Sequence, residues 1–290
     1  MTIKIVTDST ADLPAMLTDE LDITVVPEYL RFGDKVYRDR VDISEDEFYQ
    51  KLLNGPVHPK TAQPTPQDFA GVYNKLSREA NGIISIHLSS KLSGTYDSAV
   101  QGKKTMGKGC PIEIVDSQTV SIAMGLVVIQ ASKMAKSGMS QQQIVDELGQ
   151  IIPNVHMLIL FDTLKYLAKG GRIGKAKALL GSVLSVRPLL KIRDGELVPS
   201  GQVRTRSKGM DLLLDFVKNA TEIQDLAILH STTPDDAQTL VERTSSIFPK
   251  ERTIIARLGP ALGVHGGPGI LAIALRAKGL NIGKFHRIVT

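Results

Sequence analysis

The chain contains no tryptophan, and tyrosine and phenylalanine bring its aromatic content to only 4% of 290 residues. Single-stranded nucleic acid is held largely by stacking on aromatic faces, so a nucleic-acid partner fits poorly and any core must be mainly aliphatic. One cysteine, Cys110, excludes an intrachain disulfide and cysteine-rich zinc sites. No apolar run approaches the ~20 residues of a membrane-spanning helix. The first residues turn acidic at once after a short apolar run, unlike a secretory leader, so the expected location is cytoplasmic.

What is present is ordinary for a globular protein, with 42% hydrophobic and 22% charged residues. At this length two domains are expected. The net charge of +5 is unevenly spread. Residues 1–155 carry 15 basic and 19 acidic side chains, whereas residues 156–290 carry 20 and 11. The excess is densest from Thr163 to Lys208, with 11 basic and 2 acidic residues; such a run is ordinarily a solvated face.

Short apolar strands at Ile3–Val6, Gly82–Leu88 and Ile112–Val115 alternate with helical stretches, the pattern of a parallel sheet with crossover connections. Ile23–Pro27 and Tyr29–Phe32 read as extended, with a hairpin turn at Gly33-Asp34. Ser44 with Glu47 opens a helix to about Leu53, and Thr61–Pro66 reads as a loop with Pro66 starting the next helix. Beyond residue 155 the pattern changes. Val155–Phe161 reads as a strand, Leu164–Leu184 as mostly helical, and Asp194-Gly195 as a tight hairpin turn. Helices at Arg206–Asn219 and Pro234–Ile247 interleave with strands at Asp225–His230 and Thr253–Arg257. The expected architecture is α/β: a parallel-sheet domain over 1–155, with an insertion at about 23–60, and a smaller two-layer α+β domain over 156–290 with a mixed sheet.

Three first-half strands end in hydroxyl clusters: Thr7, Ser9 and Thr10; Ser89, Ser90, Ser93 and Thr95; Ser117 and Thr119. Ligands of open parallel sheets bind at the carboxyl ends of strands, where hydroxyls and free N–H groups can hold a small anion. Helix capping explains Ser9, Ser117 and Thr119 well enough; the segment Ser89–Thr95 is denser than capping needs. Asp8 and Asp12 read as turn and cap. A second unusual segment, Leu258–Gly269, reads as a glycine-rich loop around His265. Several chemistries find no support. No phosphate-binding Gly-x-x-x-x-Gly-Lys-Ser/Thr loop and no Gly-x-Ser-x-Gly elbow is present, the histidines have no metal-binding spacing, and Gly267-Pro268-Gly269 matches a dinucleotide fingerprint only formally.

Taken in order, several segments resemble the DegV family of fatty-acid-binding proteins along essentially the whole chain. They are Ile5–Pro14, Thr61-Ala62-Gln63-Pro64-Thr65-Pro66, Ser89–Tyr96, Val115-Asp116-Ser117, Gly170-Gly171-Arg172-Ile173, Gly259-Pro260 and His265–Gly269. Ala62 and Gly266 stand where the family often has Ser and Thr. The resemblance implies a Rossmann-like first domain and one fatty acid buried near the domain junction. By motif position it implies that Thr61 and Ser93, with the Gly94 amide, bind the carboxylate, and that His265 and Arg172 complete the polar network. It further implies a non-catalytic subunit without a cofactor. Such a subunit presents the acid to a separate ATP-binding kinase subunit that makes acyl phosphate for phospholipid synthesis. Arg204 and Arg206, in the basic stretch Lys165–Lys208, are candidates for docking that partner or nucleotide phosphates. Two other readings remain: a lipid hydrolase or acyltransferase using Ser93 and His265, and a lipid carrier whose basic face meets anionic membranes.

Overall fold

The computed structural model describes residues 2–107, 109–179 and 186–281. In chain order the first elements are β1 (Ile3–Asp8), α1 (Ala15–Glu20), β2 (Ile23–Val26), β3 (Tyr29–Phe32), β4 (Lys35–Arg38), α2 (Glu45–Asn54), β5 (Lys60–Ala62) and α3 (Pro66–Leu76). They are followed by β6 (Gly82–His87), α4 (Thr95–Thr105), β7 (Ile112–Asp116), α5 (Ile122–Lys136) and α6 (Gln141–Ile151). The later part comprises β8 (Val155–Leu160), α7 (Lys165–Lys169), β9 (Arg187–Arg193), β10 (Glu196–Val203), α8 (Arg206–Lys218) and β11 (Ala220–His230). It ends with α9 (Pro234–Thr244), β12 (Ile254–Arg257), α10 (Pro260–Gly266) and β13 (Leu271–Leu280).

Strands β2, β1, β6 and β7 form, in that order, an all-parallel sheet. Its inner strands are buried along nearly their whole length, as strands covered on both faces must be. A six-stranded mixed sheet follows in the order β10-β9-β8-β13-β11-β12, antiparallel except for β11 against β12. The fold is therefore α/β, with a parallel amino-terminal sheet and a mixed carboxyl-terminal sheet. A small antiparallel sheet, β4-β3-β5, comes from the region expected as an insertion. The two-residue hairpins at Gly33-Asp34 and Asp194-Gly195 form where the turn residues placed them, closing Phe32 on Lys35 and Arg193 on Glu196.

Three expectations need correction. Residues 60–62 are not loop but β5, because Thr61 and its neighbours pair with Tyr29–Arg31. Leu164–Leu184 is not one helical stretch: α7 stops at Lys169, a 3-10 turn spans Gly174–Leu179, and residues 180–185 lie outside the described residues. Leu258–Gly269 is not simply loop, since Pro260–Gly266 forms helix α10, with Pro260 in the first turn supplying a helical φ and Gly259 anchored as its cap. The strand β13 had no counterpart in the sequence reading, although it lies at the centre of the mixed sheet.

Helix α5 lies between the two sheets. Ten of its residues are buried, on all sides, which is the expected state of a helix that is apolar all round. Strand β13 shows how the mixed sheet accommodates it. Ala272 and Ala274 face the α5 side, and Leu271, Ile273 and Leu275 face α8 and α9 on the other. Small residues on one face let the helix approach closely; large ones on the other fill the second layer. A single hydrophobic cluster thus runs from Ile3 to Ala274 across both sheets.

Helices α3 and α4 also pack closely. A Cβ placed on Gly102 would lie 2.7 Å from the Phe69 Cβ and 2.8 Å from the Pro66 carbonyl oxygen. Gly102→Val is expected to lower unfolding free energy by roughly 1–3 kcal/mol through overpacking. Urea denaturation checks this, and an unchanged midpoint would show that the α3–α4 contact yields.

Candidate functional site

The order β2-β1-β6-β7 places the topological switch between β1 and β6, the usual position for a ligand in a parallel sheet. Asp8 and His87 end these two strands, both fully buried. His87 Nδ1 lies 2.9 Å from Asp8 Oδ2, and His87 Nε2 lies 2.7 Å from Ser85 Oγ, which also takes the Tyr73 hydroxyl at 2.8 Å. Asp8 Oδ1 accepts from the Thr10 amide at 3.0 Å and from its hydroxyl. The role of turn and cap expected for Asp8 is real but incomplete: it also ties the two strand ends together. Asp12 does more than turn as well. Its carboxylate accepts from Ser121 Oγ (2.6 Å), the Gly259 amide (2.8 Å) and Arg40 Nη2 (3.1 Å), joining both halves of the chain. Burial pushes the Asp12 carboxyl up to about 6 despite Arg40.

Beyond these strand ends opens a cavity of about 810 Å³, open mouth included. Leu88, Leu92 and Val120 line it from the parallel-sheet side. Met157, Ile159 and Phe161 line it from β8 and the residue after it, at the period-two spacing of one strand face. Leu197, Leu229, Leu258 and Leu262 complete an aliphatic wall. Polar groups gather at one part of the lining: Thr61, Ser93, Arg172, His265 and Glu28.

Four of the residues singled out in the sequence thus meet in one cavity. Thr61 Oγ1 lies 2.9 Å from His265 Nε2, which joins β5 to α10 across 204 residues. His265 packs against Gly170, where any side chain would overlap the imidazole ring. Burial, and then the Arg172 cation, hold the His265 pKa down to about 4, so the ring is neutral at pH 7. Arg172 is exposed, donating to the Gly170 carbonyl at 3.1 Å. Gly94 caps α4 beside Ser93 without lining the cavity. Ser93 Oγ lies 2.9 Å from Thr95 Oγ1, which lies 2.6 Å from Glu28 Oε1.

Glu28 was not anticipated. It is 4% exposed, and burial together with Asp8 raises its pKa well above the ordinary carboxyl range. In sequence it is an acid after Pro27 in a connecting segment, with no local feature to mark it as buried.

The remaining candidates behave differently. Ser93 and His265 share the cavity, but no hydrogen bond links them; the hydroxyl on the imidazole is that of Thr61. That contact is the mark of a nucleophile–base pair. Arg206 is held by Asp236 (2.8 Å), Thr233 (2.9 Å), Asp162 (3.2 Å) and the Gly269 carbonyl, which commits its guanidinium within the fold. Arg204 is exposed. The basic stretch does not act as one free face, since Arg187 also binds Asp162 and Lys175 binds Glu196. Lys165 and Lys169 lie close enough to His58 to lower its pKa, after burial. Among the described residues, no group of His, Cys, Asp and Glu is arranged to hold a metal ion, and no helix is long and apolar enough to cross a membrane.

The model of the DegV family of uncharacterised proteins matches residues 2–278. A DegV domain-containing protein of Caldanaerobacter subterraneus is 34% identical over 280 residues, 95% of this chain and 99% of the relative. Among solved structures, a fatty-acid-binding DegV family protein from Thermus thermophilus superposes with a TM-score of 0.88 at 32% identity, covering 96% of this chain and all of that one. A stearic-acid-binding protein from Eubacterium ventriosum gives 0.86 at 25% identity, covering 95% and 98%.

Proposed function

Because the chain belongs to the DegV family, we propose that it binds a long-chain fatty acid in the cavity between its parallel and mixed sheets and presents the carboxylate to a separate ATP-binding kinase subunit. The observation that carries this reading is the cavity itself, long aliphatic walls with hydroxyls, an imidazole and a guanidinium gathered at one part. Burying an acyl chain of about 16 carbons gains on the order of 10 kcal/mol gross, at about 0.8 kcal/mol per methylene. A carboxylate enclosed in such walls needs donors, since an unpaired buried charge is very costly. Ser93 and Thr61 supply hydroxyls in this reading, His265 holds Thr61, and Arg172 supplies positive charge.

The Glu28–Thr95–Ser93 chain sets the polarity of that site. With Glu28 ionised, Thr95 donates to it, Ser93 donates to Thr95, and Ser93 turns only lone pairs toward a ligand. With Glu28 protonated the chain reverses, and the Ser93 O–H is free for the fatty-acid oxygen. The raised Glu28 pKa favours the second arrangement. Phosphoryl transfer then requires one carboxylate oxygen to bond to the γ-phosphorus as the bond to the β–γ bridging oxygen breaks and ADP leaves. The chain has no Gly-x-x-x-x-Gly-Lys-Ser/Thr loop, and in this reading the partner binds the nucleotide. Arg172, with Lys165 and Lys169 near by, offers the charge that partner-bound phosphates would meet.

Solvent extraction and mass spectrometry of the purified protein should recover a free fatty acid; stoichiometric nucleotide or sterol in its place would overturn the reading. Ser93→Ala should weaken fatty-acid binding about tenfold or more, the usual worth of a hydrogen bond to a charged group, and lower acyl phosphate output in a reconstituted kinase assay. Unchanged occupancy and turnover would remove Ser93 from the site. Raising the pH through the elevated Glu28 pKa should ionise Glu28, reverse the relay and weaken binding. Glu28→Gln, which still donates to Thr95, should flatten that pH profile, and parallel profiles would exclude the relay.

A further inference from the structure

The mixed sheet is forked. β8 pairs with β9 only through Leu158–Leu160 against Lys191–Leu189. Ahead of Leu158, β8 continues back to Val155 against β13, while β9 runs on to Arg193 against β10. The two strands part there, and a second cavity of about 1100 Å³, open side included, occupies the fork.

The wall between this fork and the first cavity is one side chain thick. Met157, only 2% exposed, lines both. On one side of it Val120 lines the first cavity and its chain neighbour Thr119 lines the fork. On the other, Leu197 lines the first cavity and its cross-strand partner Ile192 lines the fork. Methionine is unbranched, with three rotatable bonds, and repacks at lower cost than a β-branched residue. The fork also offers apolar lining of its own from Ile152, Leu158, Phe216 and Leu280.

We propose that Met157 is the residue that sets acyl-chain length: its side chain closes the far part of the fatty-acid cavity and moves aside to admit the terminal methylenes of longer chains into the fork. This inference rests on the fatty-acid reading above. It assigns the second cavity to the same ligand, as the place where a tail too long for the first continues.

Competitive binding of a 16-carbon and a 22-carbon saturated fatty acid tests it. Met157→Ala removes the partition and should raise affinity for the longer acid relative to the shorter by about fourfold for each methylene newly buried. Met157→Phe fills the gap and should shift the ratio the other way. Ile192→Ala thins the same wall from the fork side without altering β8; it carries the test if Met157→Ala does not fold, and the same direction is expected. Intact binding of the 16-carbon acid with an unchanged ratio in these variants overturns the role of Met157 and leaves the fatty-acid reading standing. Absence of binding of either acid to the unaltered protein overturns both.

Discussion

A helix that is apolar on every side has to be covered on every side, and α5 imposes that demand on the whole molecule. The parallel sheet covers one side of it and the mixed sheet another, so neither half closes its core alone. The alanines of β13 are the counterpart of this arrangement, small where the helix presses and followed by large residues on the opposite face. The cavity lies in the same interlayer, where the inward faces of β8, β10 and β11 meet the ends of β1 and β6. Its aliphatic lining is thus a continuation of the core, which explains why an aromatic-poor sequence suffices to build it.

The polar part of the cavity obeys a second constraint. Several acids lie buried behind it, and each carries a desolvation cost that its neighbours only partly offset. Burial raises the Asp12 carboxyl to about 6 and that of Asp39 to about 7. Glu28 shares this environment, so the group nearest the Ser93 relay is also one that the interior keeps from ionising easily. His265 experiences the opposite effect from the same causes, because burial and a nearby cation disfavour its charged form. Under the proposed function, a site assembled this way would recognise an anion through oriented neutral donors, with net charge left to the exposed Arg172.

Local chemistry made much of the fold legible. Short apolar stretches marked β1 and β6, and Gly33-Asp34 and Asp194-Gly195 marked both tight hairpins. Thr61, Ser93, Arg172 and His265 stood out through their motifs, and they do line one cavity. The elements that escaped depend on distant partners. Helix α10 is glycine-rich, and the contact that anchors its start, Gly259 to Asp12, spans 247 residues. β13 alternates leucine and isoleucine with alanine, a period-two signal weakened by residues that favour helix. Glu28 is placed by Thr95, 67 residues away, and nothing beside it in the chain announces burial. Arg206 looked available because its acidic partners approach from distant segments, Asp162 from the connection after β8 and Asp236 from α9.

The position of β13 has a consequence for biosynthesis. It is the last strand of the described chain, yet it sits between β8 and β11 in the middle of its sheet. During vectorial synthesis, β8, β9 and β10 emerge long before it, and β11 and β12 follow without a bridge to them. Until the final strand leaves the ribosome, two unpaired strand edges and one side of an oily helix stay exposed. Such surfaces are sites of aggregation. The nascent chain therefore holds its most vulnerable state until β13 has been made, and that interval is where chaperone capture would act.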